Sequence, residues 1–519
     1  MSDKDLLQQF MKRYKSAKTM ADLWMGLHQS CYAYAIPARN KFWRPREQQG
    51  ELRGSRVYDT TPIEAVKTFV SKMQTIMTPP QTQWGFLKLD PVYVQKNPDI
   101  ADAAQLELNQ YMERVFEYIH QSNFDVAINE SFFDLSVGTA CLVSQYYKDS
   151  CPLRFTSVPM DKLFIEDSLS GNIETWFRNW EDVKVAEIHT RWPKAVIPQK
   201  LLSELKRTPN LTLRLVYEGV MYCPMEDKPY FYGVAWDEGW LYKEYLESNP
   251  GTVWRFQKTN NDTYGRGPVM DALPSIVTLN EIMKLELASA NLNVFRPYMA
   301  FGDGVFNPMN FTMRPMSIIP IASVGASGQF PLQPLPASEN PTFAQITIAD
   351  LRLQIQRLLF ADSPIPEDSK QPVSASQIMV SNQMISARVG PLFSRLQQEF
   401  LEPIMTRIMY ILDRSGILPK PKLKGAKMMF HYQSPLALSK GMEKVSSFTQ
   451  FYQLLQGTLG ESNAITYVNS SKMPYILANY MQVDPSLLND EEQHAVAMQN
   501  AQDMMIQATQ EQQEQESMQ

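Results

Sequence analysis

Residues 269–294 read VMDALPSIVTLNEIMKLELASANLNV, and residues 342–361 read TFAQITIADLRLQIQRLLFA. In the first stretch Leu273, Ile276, Leu279, Ile282, Met283, Leu285 and Leu287 recur at near-helical spacing; in the second Ile346, Ile348, Leu351, Ile355, Leu358 and Leu359 do the same. That period predicts two helices, each with one apolar stripe. Pro274 falls early enough in the first to be tolerated or to kink its opening turns. The intervening residues 295–341 are rich in Pro, Gly, Asn and Phe, with short apolar runs at Tyr298–Phe301 and Ile318–Ile321. They predict a compact loop-and-strand module, so the fold reading turns on two rods bracketing a knob.

Upstream, Leu6, Phe10, Tyr14, Ala17, Leu23, Leu27, Cys31 and Tyr34 mark a helix that Pro37 stops. A second helix is expected after Asp59–Thr60–Thr61–Pro62, with Thr61 as cap, Pro62 in the first turn and Ala65, Phe69, Met73 and Ile76 inward; Pro79–Pro80 ends it. Residues 100–120 (Leu106, Leu108, Met112, Val115, Phe116, Ile119) and 124–143 read as two more amphipathic helices. From 151 to 262 the period falls to two, with Leu211, Leu213, Leu215 and Tyr217 alternating. Tyr230–Trp236 and Trp240–Tyr245 read there as strands joined by a short turn, and Val253–Phe256 as a further strand, giving a small α+β or mostly β block. Downstream, 362–373 is a charged, Pro-broken loop, and 374–414 is the longest helical pattern, expected to kink at Pro391 and Pro403 and to stop at Gly416. A strand-like Lys427–Tyr432 precedes helical patterns at 437–458, 462–482 and 485–515, the last Gln- and Glu-rich.

The 519 residues suit about three structural units. A hydrophobic share of 44% excludes wholesale disorder, and a net charge of −6 argues against a surface that grips nucleic acid everywhere. No run approaches the ~18 apolar residues of a membrane span, and acidic residues stand where a signal peptide would be basic, so no membrane association or export is expected. Four cysteines without a CxxC pair and five histidines leave no zinc ribbon, disulfide framework or His-based metal centre. Gly265–Arg266–Gly267 is followed by Pro268 and lacks nucleotide-fold spacing; Gly325–Ala326–Ser327–Gly328 fails the nucleophile-elbow spacing. His189 and His431 have no ligand-spaced partners; Asp362, Glu367 and Asp368 sit in a loop with Lys370. Trp236, Trp240, Trp254 and Phe256 read as core rather than as a base-stacking platform. No catalytic, cofactor-binding or metal-ligating set emerges, and the chain is expected not to be an enzyme.

Four separated segments resemble the head-to-tail connector (portal) family of short-tailed bacteriophages. They are Val57–Tyr58–Asp59–Thr60–Thr61 through Met77–Thr78–Pro79–Pro80 to Trp84; Tyr264–Gly265–Arg266–Gly267–Pro268 with Asp271–Ala272–Leu273–Pro274 and Leu279–Asn280; Arg388–Val389–Gly390–Pro391–Leu392 with Arg395–Leu396 and Glu399–Phe400–Leu401–Glu402–Pro403; and Gln433–Ser434–Pro435–Leu436–Ala437. The resemblance implies an α+β, mainly helical portal fold: wing in 1–268, stem helices 269–295 and 342–361, clip 296–341, tunnel loop 362–373, wing again in 374–440, and crown with a possible barrel in 441–519. It implies a ring, usually of twelve copies, at one capsid vertex of the virion, assembled in the host cytoplasm with major capsid and scaffolding proteins. Double-stranded DNA passes through that ring during genome packaging and ejection, while terminase and then a tail adaptor protein dock on it. The competing reading is a non-portal virion component, from an internal core or a tail tube.

The charge balance agrees with a conduit. Duplex DNA carries a charge about every 1.7 Å, and tight phosphate contacts would trap it. Twelve copies at −6 give about 72 negative charges in all, which discourages gripping. Lys370 in the loop, and Lys284, Arg352 and Arg357 on the stem helices, are the candidates to brush phosphates, with surface or subunit-contact roles as the alternative. A circle of parallel C-terminal helices would bury Ala501, Met505 and Ala508.

Overall fold

Helix α1 (Asp3–Ala35) lays Phe10, Tyr14 and Ala17 on a sheet, the steps of four and three residues in its sequence becoming one buried stripe. The computed structural model describes residues 3–39, 56–96, 98–147, 151–168, 171–208, 210–237, 239–294, 298–300, 332–334, 341–362, 394–421, 428–432 and 435–460, besides positions 54, 392, 473, 474, 476 and 477. Within these it is a mixed helix-and-sheet protein.

In chain order the next elements are α2 (Thr61–Met77), β1 (Gly85–Leu89), α3 (Pro91–Lys96), α4 (Pro98–Gln121), α5 (Phe124–Val137), β2 (Thr139–Tyr146), β3 (Leu153–Ser157), β4 (Leu163–Glu166) and β5 (Thr175–Lys184). Then come α6 (Ile188–Arg191), α7 (Gln199–Arg207), β6 (Thr212–Tyr222), β7 (Tyr230–Trp236), β8 (Gly239–Leu246), β9 (Gly251–Arg255) and α8 (Pro268–Val294). The last are β10 (Tyr298–Ala300), β11 (Leu332–Pro334), α9 (Pro341–Leu358), a π-turn at Gln397–Leu401, α10 (Glu402–Arg414), β12 (Met428–Tyr432) and α11 (Pro435–Leu459).

Two compact units divide the chain, the division falling within α4. The first comprises Met1–Gln81, Gln110–Pro366 and Pro391–Lys424. Its five-stranded antiparallel sheet has the order β4-β5-β6-β7-β8, and a three-stranded sheet has the order β3-β2-β9. The α1 stripe meets Phe164, Phe177, Tyr217 and Phe231 of the larger sheet, with edge-on ring pairs such as Phe10–Phe177 at 5.1 Å and Tyr14–Tyr217 at 4.8 Å. Each such buried ring is worth about 2–3 kcal/mol. The period-two block at 151–262 is this sheet system, with β7 and β8 paired as the expected hairpin. Trp254 and Phe256 are core, while Trp236 and Trp240 are half-buried.

Helices α8 and α9 pack on each other, α2 packs on α9, and α1 on α8. The second unit comprises Thr82–Asn109, Glu367–Gly390 and Gly425–Gln519. In it β1 and β12 pair antiparallel, Gly85 opposite Tyr432, with Trp84 6.2 Å from the Tyr432 ring.

Two expectations change. The helix expected over 124–143 ends at Val137, and β2 takes over at Thr139. Ala140–Val143 are fully buried in the middle strand of three, where an apolar run has no period that separates strand from helix. The α2 N-cap position is Thr60 rather than Thr61, its side chain makes no cap bond, and the Asp59 carboxylate accepts from the Thr61 N–H at 2.8 Å instead. Just before Pro403, where a kink is expected, the helix makes a π-turn in which Glu402 N–H reaches back five residues to Gln397 O. Pro403 has no N–H to give the Glu399 carbonyl, so the ladder slips there. The rest of 374–414, including Pro391, the helical patterns at 462–482 and 485–515, nearly all of the 296–341 module and the 363–373 loop lie outside the described residues.

Candidate functional site

Among the described residues, parts of three of the segments singled out by resemblance lie at joints between elements. Asn280 of α8 reaches the chain just before α2, its Oδ1 accepting from Tyr58 N–H at 2.7 Å and its Nδ2 donating to Arg56 O at 2.9 Å. One residue on, buried Asp59 accepts two hydrogen bonds from Arg352 of α9, from Nε at 3.0 Å and Nη2 at 2.8 Å, besides capping α2. Burial alone would raise the Asp59 pKa, but hydrogen bonds from Thr61 and Arg352 hold it below the ordinary value. Farther along α2, Lys72 Nζ donates to Phe360 O at 2.9 Å and Asp362 O at 3.1 Å, satisfying carbonyls where α9 ends. Phe360 itself takes a positive φ of 54° there. Thus α2 is fastened to α9 at both of its ends, and the preceding chain to α8.

The Gly265–Arg266–Gly267 pair is a steric joint. A Cβ on Gly265 would lie 2.4 Å from Gly138 O, and one on Gly267 would lie 2.3 Å from Ser136 O. Backbone therefore meets backbone where α5 turns into β2, and α8 starts from that point. The Glu399–Phe400 segment docks likewise: Glu399 pairs with buried Arg255 of β9 at 2.9 Å, and Phe400 lies 4.4 Å from the Trp254 ring.

The candidate phosphate contacts fall in unlike surroundings. Arg352 is bound to Asp59, with 45% of its side chain exposed. Lys284 is half-exposed and 3.5 Å from Glu281. Arg357 is exposed with no ion-pair partner among the described residues. Lys370 lies outside the described residues. Sequence reasoning placed Asp59 and Asn280 in motifs without giving them partners. The Asp59–Arg352 pair spans 293 positions, and no local signal joins its ends. His189 and His431 are both exposed, and among the described residues no cluster of His, Cys, Asp or Glu could hold a metal ion. No described helix is long and apolar enough to cross a membrane.

Helices α8 and α9 leave large apolar side chains in water. Leu285 and Leu287 on α8 are 66% and 47% exposed; Ile346 and Leu353 on α9 are 58% and 42% exposed. A family model described as bacteriophage head to tail connecting protein matches residues 7–488. The chain belongs to that family.

Among its relatives, the chain resembles a probable portal protein of Bordetella phage BPP-1, at 19% identity over 528 residues, covering 92% of this chain and 88% of that one. It also resembles the portal protein of Salmonella phage epsilon15, at 21% identity over 480 residues, covering 86% and 82%. Solved structures similar to this chain include one from the virion of a native gene transfer agent particle (14% identity, 80% of this chain and 89% of that one, TM-score 0.34). Another comes from the neck of an empty particle of that kind (13% identity, 81% and 90%, TM-score 0.36).

Proposed function

We propose that the chain is a portal protein, a subunit of a ring at one capsid vertex through which the phage genome is packaged and later ejected. Family membership over residues 7–488 favours this over an internal-core or tail-tube component. The observation that carries it physically is the exposed apolar set on the stem pair, Leu285, Leu287, Ile346 and Leu353. A lone chain has no reason to leave four large aliphatic side chains in water on two packed helices, whereas copies side by side would cover them. The role is structural: the ring conducts DNA and does no chemistry on it.

The same reading assigns the segment between α8 and α9 to docking the terminase and then the tail adaptor, and residues 362–373 to the channel wall. Twelve copies is the subunit number it carries, with capsid and scaffolding proteins against the outer parts.

Negative-stain imaging of the purified chain tests the proposal. Wild type is expected to give rings with a hole of roughly duplex width. Leu285→Glu with Leu353→Glu is expected to leave folded monomers, because each carboxylate would have to be buried at a copy–copy contact. Solitary wild-type particles at high concentration would overturn the ring.

A further inference from the structure

A closed ring built head to tail needs two different surfaces on each copy, one complementary to the other. We infer that α1 of one copy docks antiparallel along α4 of the next, pairing a lysine stripe with a glutamate stripe; this rests on the ring reading above.

The outward face of α1 carries Lys12, Lys15, Thr19 and Leu23, all exposed, Leu23 at 75%. At about 100° per residue these four lie within roughly 80° of arc, so they form one straight row. The outward face of α4 carries Glu117, Glu113, Gln110 and Leu106, also all exposed, Leu106 at 48%. They lie within roughly 60° of arc. None of Lys12, Lys15, Glu113 and Glu117 has an ion-pair partner among the described residues.

The two rows match in order and in length when the helices run antiparallel. From Lys12, the positions Lys15, Thr19 and Leu23 lie about 4.5, 10.5 and 16.5 Å along the axis. From Glu117 backward, Glu113, Gln110 and Leu106 lie about 6, 10.5 and 16.5 Å along it. Lys12 thus meets Glu117, Lys15 meets Glu113, Thr19 meets Gln110, and Leu23 meets Leu106. Two ion pairs, a polar pair and an apolar pair align to within about 1.5 Å. Parallel docking would instead set Leu106 beside Lys12 and leave Leu23 against Glu117. Arg114, also exposed, lies about 40° beyond the Gln110 edge of the row, so the charge in the row itself is that of Glu113 and Glu117.

Charge swapping in the full-length chain tests the pairing. One variant carries Lys12→Glu and Lys15→Glu; a second carries Glu113→Lys and Glu117→Lys. Each alone sets like charges face to face and is expected to need about tenfold more protein for half-assembly, read by sedimentation and imaging. An equimolar mixture of the two is expected to assemble as wild type does, in even-numbered rings alternating the variants, and the quadruple variant is expected to recover too. Thermal melting of each variant verifies that it folds. The pairing is overturned if either variant assembles like wild type, or if folded variants fail to recover on mixing and in the quadruple. Either outcome leaves the ring intact as a reading, which instead stands or falls with wild-type assembly.

Discussion

Asp134 is a carboxylate held inside α5, accepting hydrogen bonds from Tyr32 of α1 and from Arg39 at 3.0 Å. Burial pushes its pKa up from 3.8 to about 6; Arg39 and Tyr32 pull the other way, while Asp161 and Glu130 add to the rise. Between those two values the folded chain binds a proton that the unfolded chain has lost. Its contribution to stability is therefore full below pH 3.8 and is lost as pH rises through about 6. The stability of wild type minus that of Asp134→Asn should fall by up to about 3 kcal/mol as pH is raised across that window. Denaturant melts of both proteins between pH 4 and pH 7 measure it, and a flat difference would show that Asp134 titrates normally. A sequence reading could not anticipate this residue, because Tyr32 and Arg39 stand 102 and 95 positions away.

The helices were legible wherever an apolar stripe ran long enough to fix a period of 3.6. Helices α1, α2, α4, α8 and α9 lie within a few residues of the expected spans, and the β7–β8 hairpin follows from alternation around a short turn. Legibility failed where burial is all-round, as in β2, and where a cap comes from two residues away, as at Asp59. Gly267 was visible only as half of a glycine pair; its use depends on Ser136 and Val137, which no spacing rule links to it. Two glycine substitutions separate a joint from a bystander. Gly26 lies in α1, where an added methyl group would meet nothing within 4 Å, so Gly26→Ala should raise stability by about 0.5–1 kcal/mol through helix propensity. Gly267→Ala would drive Cβ against two backbone atoms of α5, at 2.3 and 2.4 Å, and should cost about 3 kcal/mol. Thermal melts of the pair give the sign; equal shifts would mean the joint opens freely.

For the whole molecule, the question is which cations a passing duplex can meet. A conduit works only if its contacts are replaceable, since each neutralised phosphate releases counterions and deepens the trap. Arg352 answers to Asp59, whose carboxyl is only 3% exposed, and so is occupied in holding α9 to the start of α2. Arg357, five positions on, is exposed and unpaired among the described residues. Their neutral variants should therefore divide. Arg352→Gln leaves a buried carboxylate with its charge partner gone and should cost about 2 kcal/mol, discounted because the arginine is half in water. Arg357→Gln should shift stability by no more than about 0.5 kcal/mol and, if this face of α9 borders the channel, should change the salt dependence of DNA packaging into otherwise normal particles. Melting temperature and packaging measured on both variants decide it. Should Arg352→Gln leave the melt unmoved while altering packaging, the Asp59 pair would be a resting contact that DNA displaces, and the two arginines would exchange roles.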